Sequence, residues 1–159
     1  MLESLTYWLA IGLGTGLSPL APGTLGSLLG IPLAWWLLGQ SRPLGWLVVS
    51  ALIVLAIPLC QVVSAQLGGS DHGSIVADEI VAFPLVVLGV SAARNFRVMA
   101  LAFVIYRFFD ALKPPPVNLA ELVSGGLGIV LDDVVAAGIS FIVLVLLLKW
   151  LPISWFRAS

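Results

Sequence analysis

The sequence predicts an all-α protein: a polytopic bundle of membrane helices, opened by a short broken or re-entrant hairpin at its N-terminal end. Two observations predict it. Of 159 residues, 60% are hydrophobic and 9% are charged, against about 25% charged in an ordinary soluble domain, and mean hydropathy is +1.14. Apolar runs of helical length also recur along the chain, separated by glycine and proline clusters that break helices.

Each element follows from that pattern. Residues 5–17 are apolar but short and glycine-rich, and residues 25–38 are short with Pro32 inside. Between them SPLAPGTLGS, from Ser18 to Ser27, interrupts any continuous helix. A full span needs about 20 residues, so these two pieces are tilted, imperfect spans or the arms of a re-entrant hairpin. Irregular backbone at membrane depth survives only where protein buries it or water reaches it. Residues 44–66 are the clearest early span. GGSDHG, residues 68–73, is a turn, and Ser74 is placed to N-cap a helix running to about Val90, with Asp78 and Glu79 in its opening turns. Residues 94–97 read as a polar loop and residues 98–112 as a helix stopped by Pro114, Pro115 and Pro116. Residues 117–126 form a polar connector, and residues 129–148 form the last span, with Asp132 and Asp133 about two turns in from its glycine-rich start. No repeat of fixed period appears, and residues 1–159 read as one domain.

The composition also excludes functions. A net charge of −1 and the lack of any basic run give no footing for nucleic acid. Cys60, the only cysteine, cannot form an intrachain disulfide and reads as a packed thiol. The N-terminus shows no cationic region and no small-residue cleavage site, so it reads as part of the mature protein. The six tryptophans read as interfacial anchors.

Charge is concentrated. Seven of the eight acidic residues lie between Asp71 and Asp133, most inside or beside the apolar runs. A carboxylate at the centre of a membrane helix costs roughly 2.5–3.5 kcal/mol, so Asp78, Glu79, Asp110, Asp132 and Asp133 unpartnered would cost about 13–18 kcal/mol. Counting spans brings the Ser18–Ser27 stretch, Asp71 and His72, Asp78 and Glu79, Asp110 and Lys113, and Asp132 and Asp133 to one membrane face. Hard carboxylate oxygens suit Mg²⁺, Mn²⁺ or Ca²⁺. Arg107, Asp110 and Lys113, spaced by three, follow one side of a helix. Two cations beside a carboxylate suit an anionic, metal-bound substrate, and a phosphate ester fits best. The glycine-rich turn at Gly125 and Gly126 could hold a phosphate on its amides. Signatures of several other phosphoryl-transfer enzymes are missing: no Cys-x5-Arg, no Asp-x-Asp, no Lys-x6-Arg-Pro and no CDP-alcohol phosphotransferase pattern.

Four stretches carry a resemblance: GTGLSPLAPGTLGS (Gly14 to Ser27), DHGSIVADE (Asp71 to Glu79), YRFFDALKPPP (Tyr106 to Pro116) and GGLGIVLDDVVAAG (Gly125 to Gly138). In order and spacing the chain resembles the phosphatidylglycerophosphatase A family over nearly its whole length. The resemblance implies a multi-pass protein of the bacterial inner (cytoplasmic) membrane and a Mg²⁺-dependent phosphatase acting on a phospholipid, phosphatidylglycerophosphate. The expected roles follow from it. Asp78, Glu79, Asp132 and Asp133 hold Mg²⁺, together with Asp110. Arg107 and Lys113 neutralise the phosphate. Asp71 or His72 orients the attacking water or protonates the leaving alkoxide. Ser18, Thr24 and Ser27 line the headgroup site. Water and an aspartate remain alternative nucleophiles.

Two cues oppose one another on orientation. Arg42, Arg94, Arg97, Lys149 and Arg157 fall on the face away from the carboxylates, which the positive-inside rule makes cytoplasmic. The substrate implied by the resemblance is made on the cytoplasmic face, and we expect the site to open there. A cation-binding transporter and another lipid phosphomonoesterase are the rival readings. A transporter would need polar residues along both halves of its path, and here they stop on one side.

Overall fold

The chain enters as α1 (Leu2–Ala10) and winds through a single 3₁₀ stretch, Gly12–Leu17, into α2 (Pro22–Leu37). The computed structural model describes residues 2–69 and 72–151. Asp71, Ser70, Trp155 and Arg157, which figure in the sequence expectations, lie outside them. The break between α1 and α2 is local: Leu13 (φ 55°) and Gly14 (φ 105°) leave helical space. The second half of the stretch expected to break helices begins a helix instead. Pro22 occupies its first turn, where its missing N–H costs nothing and its ring presets φ.

The next helix, α3 (Arg42–Gln66), is followed by α4 (Ala77–Val87). Ser74 does not cap α4. Its hydroxyl lies 2.7 Å from His72 Nδ1, the N-cap position is Val76, and Asp78 Oδ1 accepts from the Glu79 amide at 3.0 Å. The helix also stops at Val87, short of Val90, where Gly89 turns the chain at φ 109°. The expected polar loop is a 3₁₀ turn, Ser91–Arg94, leading into α5 (Phe96–Leu112). Asn95 caps α5 by accepting from the Arg97 amide at 2.9 Å. Lys113 ends α5 in left-handed conformation (φ 45°, ψ 51°), and the prolines that follow cannot continue a helix. The connector contains a one-turn helix, α6 (Val117–Ala120), before α7 (Gly126–Trp150). Among the described residues there is no strand.

Helix α4 is the centre of the bundle. It packs against α2, α3, α5 and α7. Phe83, Val86 and Val87 are fully buried with Tyr106, Ala136 and Leu144. Three glycines of α2 make the α2–α4 contact close. A β-carbon on Gly26 would stand 2.6 Å from Val76 Cβ, and one on Gly30 would stand 2.9 Å from Phe83 Cβ. One on Gly23 would run into the Glu79 carboxylate. At i, i+3 and i+7 these residues share one face of α2. Cys60 is fully buried in a second apolar cluster with Val63 and Ile129.

The outside of the bundle is apolar too. Leu47, Val54 and Leu55 on α3 and Ile142 and Leu146 on α7 are exposed. A contiguous surface of this kind is rare on a soluble monomer. Helices α3 and α7, 25 residues each, are long and apolar enough to cross a membrane. At 1.5 Å per residue each reaches about 37 Å, against a hydrocarbon core of about 30 Å.

Candidate active site

Four elements meet at one end of the bundle around a hollow of about 270 Å³. Helix α2 contributes its opening turn, Pro22 and Gly23. The segment before α4 contributes Gly73 and Ile75, and α4 contributes Asp78 and Glu79. Arg107, Asp110 and Lys113 come from the last turns of α5, and Asp132 and Asp133 from the second turn of α7. Five carboxylates and two cations expected from the sequence to converge are therefore together. Asp78, Asp110, Asp132 and Asp133 are all buried.

The cations thread between the acids. Arg107 Nη1 donates to Glu79 Oε1 at 2.9 Å and to Ser27 Oγ at 3.2 Å, and it pairs with Asp110 one turn along α5. Lys113 Nζ bridges Asp132 Oδ2 at 2.8 Å and Glu121 Oε1 at 3.1 Å. Tyr106 donates its hydroxyl to Asp133 Oδ1 at 2.8 Å. The Asp133 amide donates to Asp132 Oδ1 at 2.9 Å. Arg107 Nε is buried with no acceptor among the described residues, which leaves the guanidinium one donor to offer an anion. Among the described residues, no three acidic or histidine side chains are grouped as a ready-made ion site. The acids are instead held by Arg107, Lys113 and Tyr106.

Other expected residues lie elsewhere. Ser27 is buried behind Arg107, donating to the Gly23 carbonyl at 2.8 Å. Thr24 is half-buried and does not line the hollow. Ser18 is half-buried and closes its own turn by donating to the Leu20 carbonyl. His72 is exposed, bonded to Ser74, and is not part of the lining, although the adjacent Gly73 is. Gly125 belongs to a separate hollow with Ser64 and Glu121, and Gly126 lines neither that hollow nor the carboxylate one. The Gly126 amide is already occupied, donating to Gln61 Oε1 at 2.6 Å. The glycine-rich start of α7 is thus capped by α3 and does not face the carboxylates.

Three contributors were not singled out from the sequence. Gly23 leaves the space that the Glu79 carboxylate fills. Glu121 shares Lys113 with Asp132. Tyr106 lies four residues before Asp110 and so on the same side of α5, a spacing that could have flagged it.

The sequence profile of the family described as Phosphatidylglycerophosphatase A matches residues 8–148. The chain belongs to this family. The phosphatidylglycerophosphatase A of Escherichia coli (strain K12) is 40% identical over 137 residues, covering 84% of this chain and 78% of that protein. That of Haemophilus influenzae (strain Rd) is 41% identical over 147 residues, covering 91% and 90%. A putative phosphatidylinositol-3-phosphatase of Bacteroides thetaiotaomicron is 34% identical over 146 residues, covering 87% and 90%. No solved structure matches the chain. All four stretches that carried the resemblance fall inside the matched region, and each of them furnishes part of the lining of the carboxylate hollow.

Proposed function

We propose that this protein hydrolyses phosphatidylglycerophosphate to phosphatidylglycerol and phosphate, as the names of its relatives describe for them. The observation that carries the reading is the hollow in which Arg107 and Lys113 stand among five carboxylates. Its counter-ions suit a phosphate dianion, and its acids suit a divalent cation.

The donor set fits magnesium in kind, because every candidate ligand among Asp78, Glu79, Asp110, Asp132 and Asp133 is a hard carboxylate oxygen. When bound, the ion would screen phosphate charge and polarise the phosphorus–oxygen bonds. The chain's own groups do the rest. Arg107 and Lys113 exchange a carboxylate partner for phosphate oxygens, and Arg107 Nε adds the donor that has no other acceptor. Ser27, behind the guanidinium, keeps its plane in position. Either water attacks phosphorus and gives up a proton as the bond to the glycerol oxygen breaks, or an aspartate attacks and water then hydrolyses the aspartyl phosphate; in both routes the glycerol oxygen takes a proton. His72 at the rim and Asp71 beside it in sequence are the candidates for that proton.

The membrane arrangement belongs to the same proposal. The protein crosses the bacterial inner membrane more than once, with α3 and α7 as full spans. The kinked passage from α1 to α2 forms the broken N-terminal hairpin, a reading supported by the left-handed backbone at Leu13.

Phosphate release from phosphatidylglycerophosphate by protein purified in mild detergent tests this. Release that needs Mg²⁺, stops with EDTA and disappears in both Asp78→Asn and Asp133→Asn is the expected result. Full activity in Asp133→Asn would remove that residue from the site, and no release by folded wild type would refute the reaction. The Bacteroides relative's name supports a second headgroup, so phosphatidylinositol 3-phosphate belongs in the same assay.

A further inference from the structure

Tyr106 reaches one of the hollow's acids from inside the apolar core. It is fully buried and does not line the hollow. Its ring meets Phe83 edge-on, with centroids 5.8 Å apart at 61°, and Phe83 meets Phe103 in the same way at 6.0 Å. Val86, Ala136 and Ala137 belong to the same buried apolar cluster. A phenylalanine would fill this space without bringing a polar atom into it, so packing gives the hydroxyl no reason to be there. Its hydrogen bond goes to Asp133 Oδ1, at 2.8 Å. Asp133 is 3% exposed, and what remains of its surface faces the hollow.

We propose that Tyr106 is a positioning residue for Asp133. The phenol commits Oδ1, stops the carboxylate from rotating about its terminal bond, and leaves Oδ2 to meet the cation from one fixed direction. The anchor is rigid because the ring packs edge-on against Phe83 of α4 and the hydroxyl is bonded to Asp133 of α7, while α5 carries Tyr106 beside Arg107, the proposed phosphate donor. One helix thereby sets the relative placement of the cation's ligand and the anion's donor. The inference rests on the proposed reading of Asp133 as a magnesium ligand. Outer partners of this kind typically change metal affinity or activity by about 10- to 100-fold when removed.

The test uses Tyr106→Phe in the full chain in detergent, with Phe83→Leu as the control that loosens the ring's packing and keeps the hydroxyl. Two quantities are read: the Mg²⁺ concentration giving half-maximal phosphate release, and the rise in melting temperature that Mg²⁺ produces without lipid. Tyr106→Phe is expected to raise the half-maximal concentration about 10- to 100-fold, to shrink the Mg²⁺-induced rise, and to keep the KM for lipid at saturating Mg²⁺. Phe83→Leu is expected to lower the melting temperature without altering the Mg²⁺ requirement. Wild-type Mg²⁺ dependence in Tyr106→Phe overturns the proposal, as does an equal loss in Phe83→Leu, which would make the effect one of packing. If wild type gains stability from Mg²⁺ but releases no phosphate, the proposed reaction fails, and the melting rise alone still decides for or against Tyr106. If wild type shows neither response, both fall.

Discussion

Replacing Gly23 by alanine adds one methyl group at the place where α2 meets the Glu79 carboxylate. The new β-carbon would collide with Glu79 Oε1 and stand 2.9 Å from both Cδ and Oε2. Those atoms end a flexible side chain, so they can swing aside at little cost to folding. Swinging aside breaks the 2.9 Å bond that Arg107 Nη1 makes to Oε1. A hydrogen bond to a charged group contributes about 1.5–3 kcal/mol, and the pair is mostly buried, with side chains 18% and 13% exposed. If that amount is lost from transition-state stabilisation, the rate falls about 10- to 150-fold. Gly26→Ala makes the contrast. Its β-carbon would come within 2.6 Å of Val76 Cβ, an atom fixed to the backbone, and overpacking of that kind costs about 1–3 kcal/mol of stability. The assay pairs phosphate release with a thermal melt. Gly23→Ala should lose activity and keep its melting temperature, and Gly26→Ala should lose melting temperature. A fully active Gly23→Ala, or one that melts as early as Gly26→Ala, refutes the reasoning.

Other outcomes follow from the same contacts. Lys113→Met leaves buried Asp132 without its ammonium partner and should lower the melting temperature, while Lys113→Met with Asp132→Asn should regain most of the loss; a double variant no better than the single one argues against the pair. Gln61→Leu removes the acceptor on the Gly126 amide and should cost about 1 kcal/mol of stability, as loss of a helix cap does. Phosphate release should not change in that variant, and a fall in lipid affinity would return the glycine turn to the site. Dialysis against EDTA should abolish release and lower the melting temperature, with Mg²⁺ restoring both; activity that survives chelation removes the divalent ion from the reaction.

Much of this was legible because membrane helices announce themselves by length and apolarity. The spans of α3 and α7 were legible to within three residues, and their long apolar runs leave no competing structure. The carboxylate cluster was legible for a related reason: Asp110, Asp132 and Asp133 are expensive where they stand, and counting spans brings them to one end. What stayed hidden depends on pairings between distant segments. Ser74 carries good N-cap chemistry, yet its hydroxyl lies against His72 and α4 begins three residues later. Gly125 and Gly126 look like a phosphate cradle until Gln61, some sixty positions earlier, takes the amide. Tyr106 reads as one more aromatic of a core helix, and only its Asp133 contact separates it from Phe108 and Phe109. Gly23 contributes through atoms it lacks, which no inventory of polar residues records.

The tally of formal charge around the hollow has a kinetic meaning. Five carboxylates face one guanidinium and one ammonium, an excess of three negative charges at a site bordered by hydrocarbon, where fields are less screened than in water. A doubly charged headgroup that drifts in alone meets repulsion, whereas a small dication is drawn in. For the proposed reaction the expected order of arrival is therefore cation before lipid. Phosphate release is then expected to slow when the dication is scarce, and the lipid KM to fall as the dication rises.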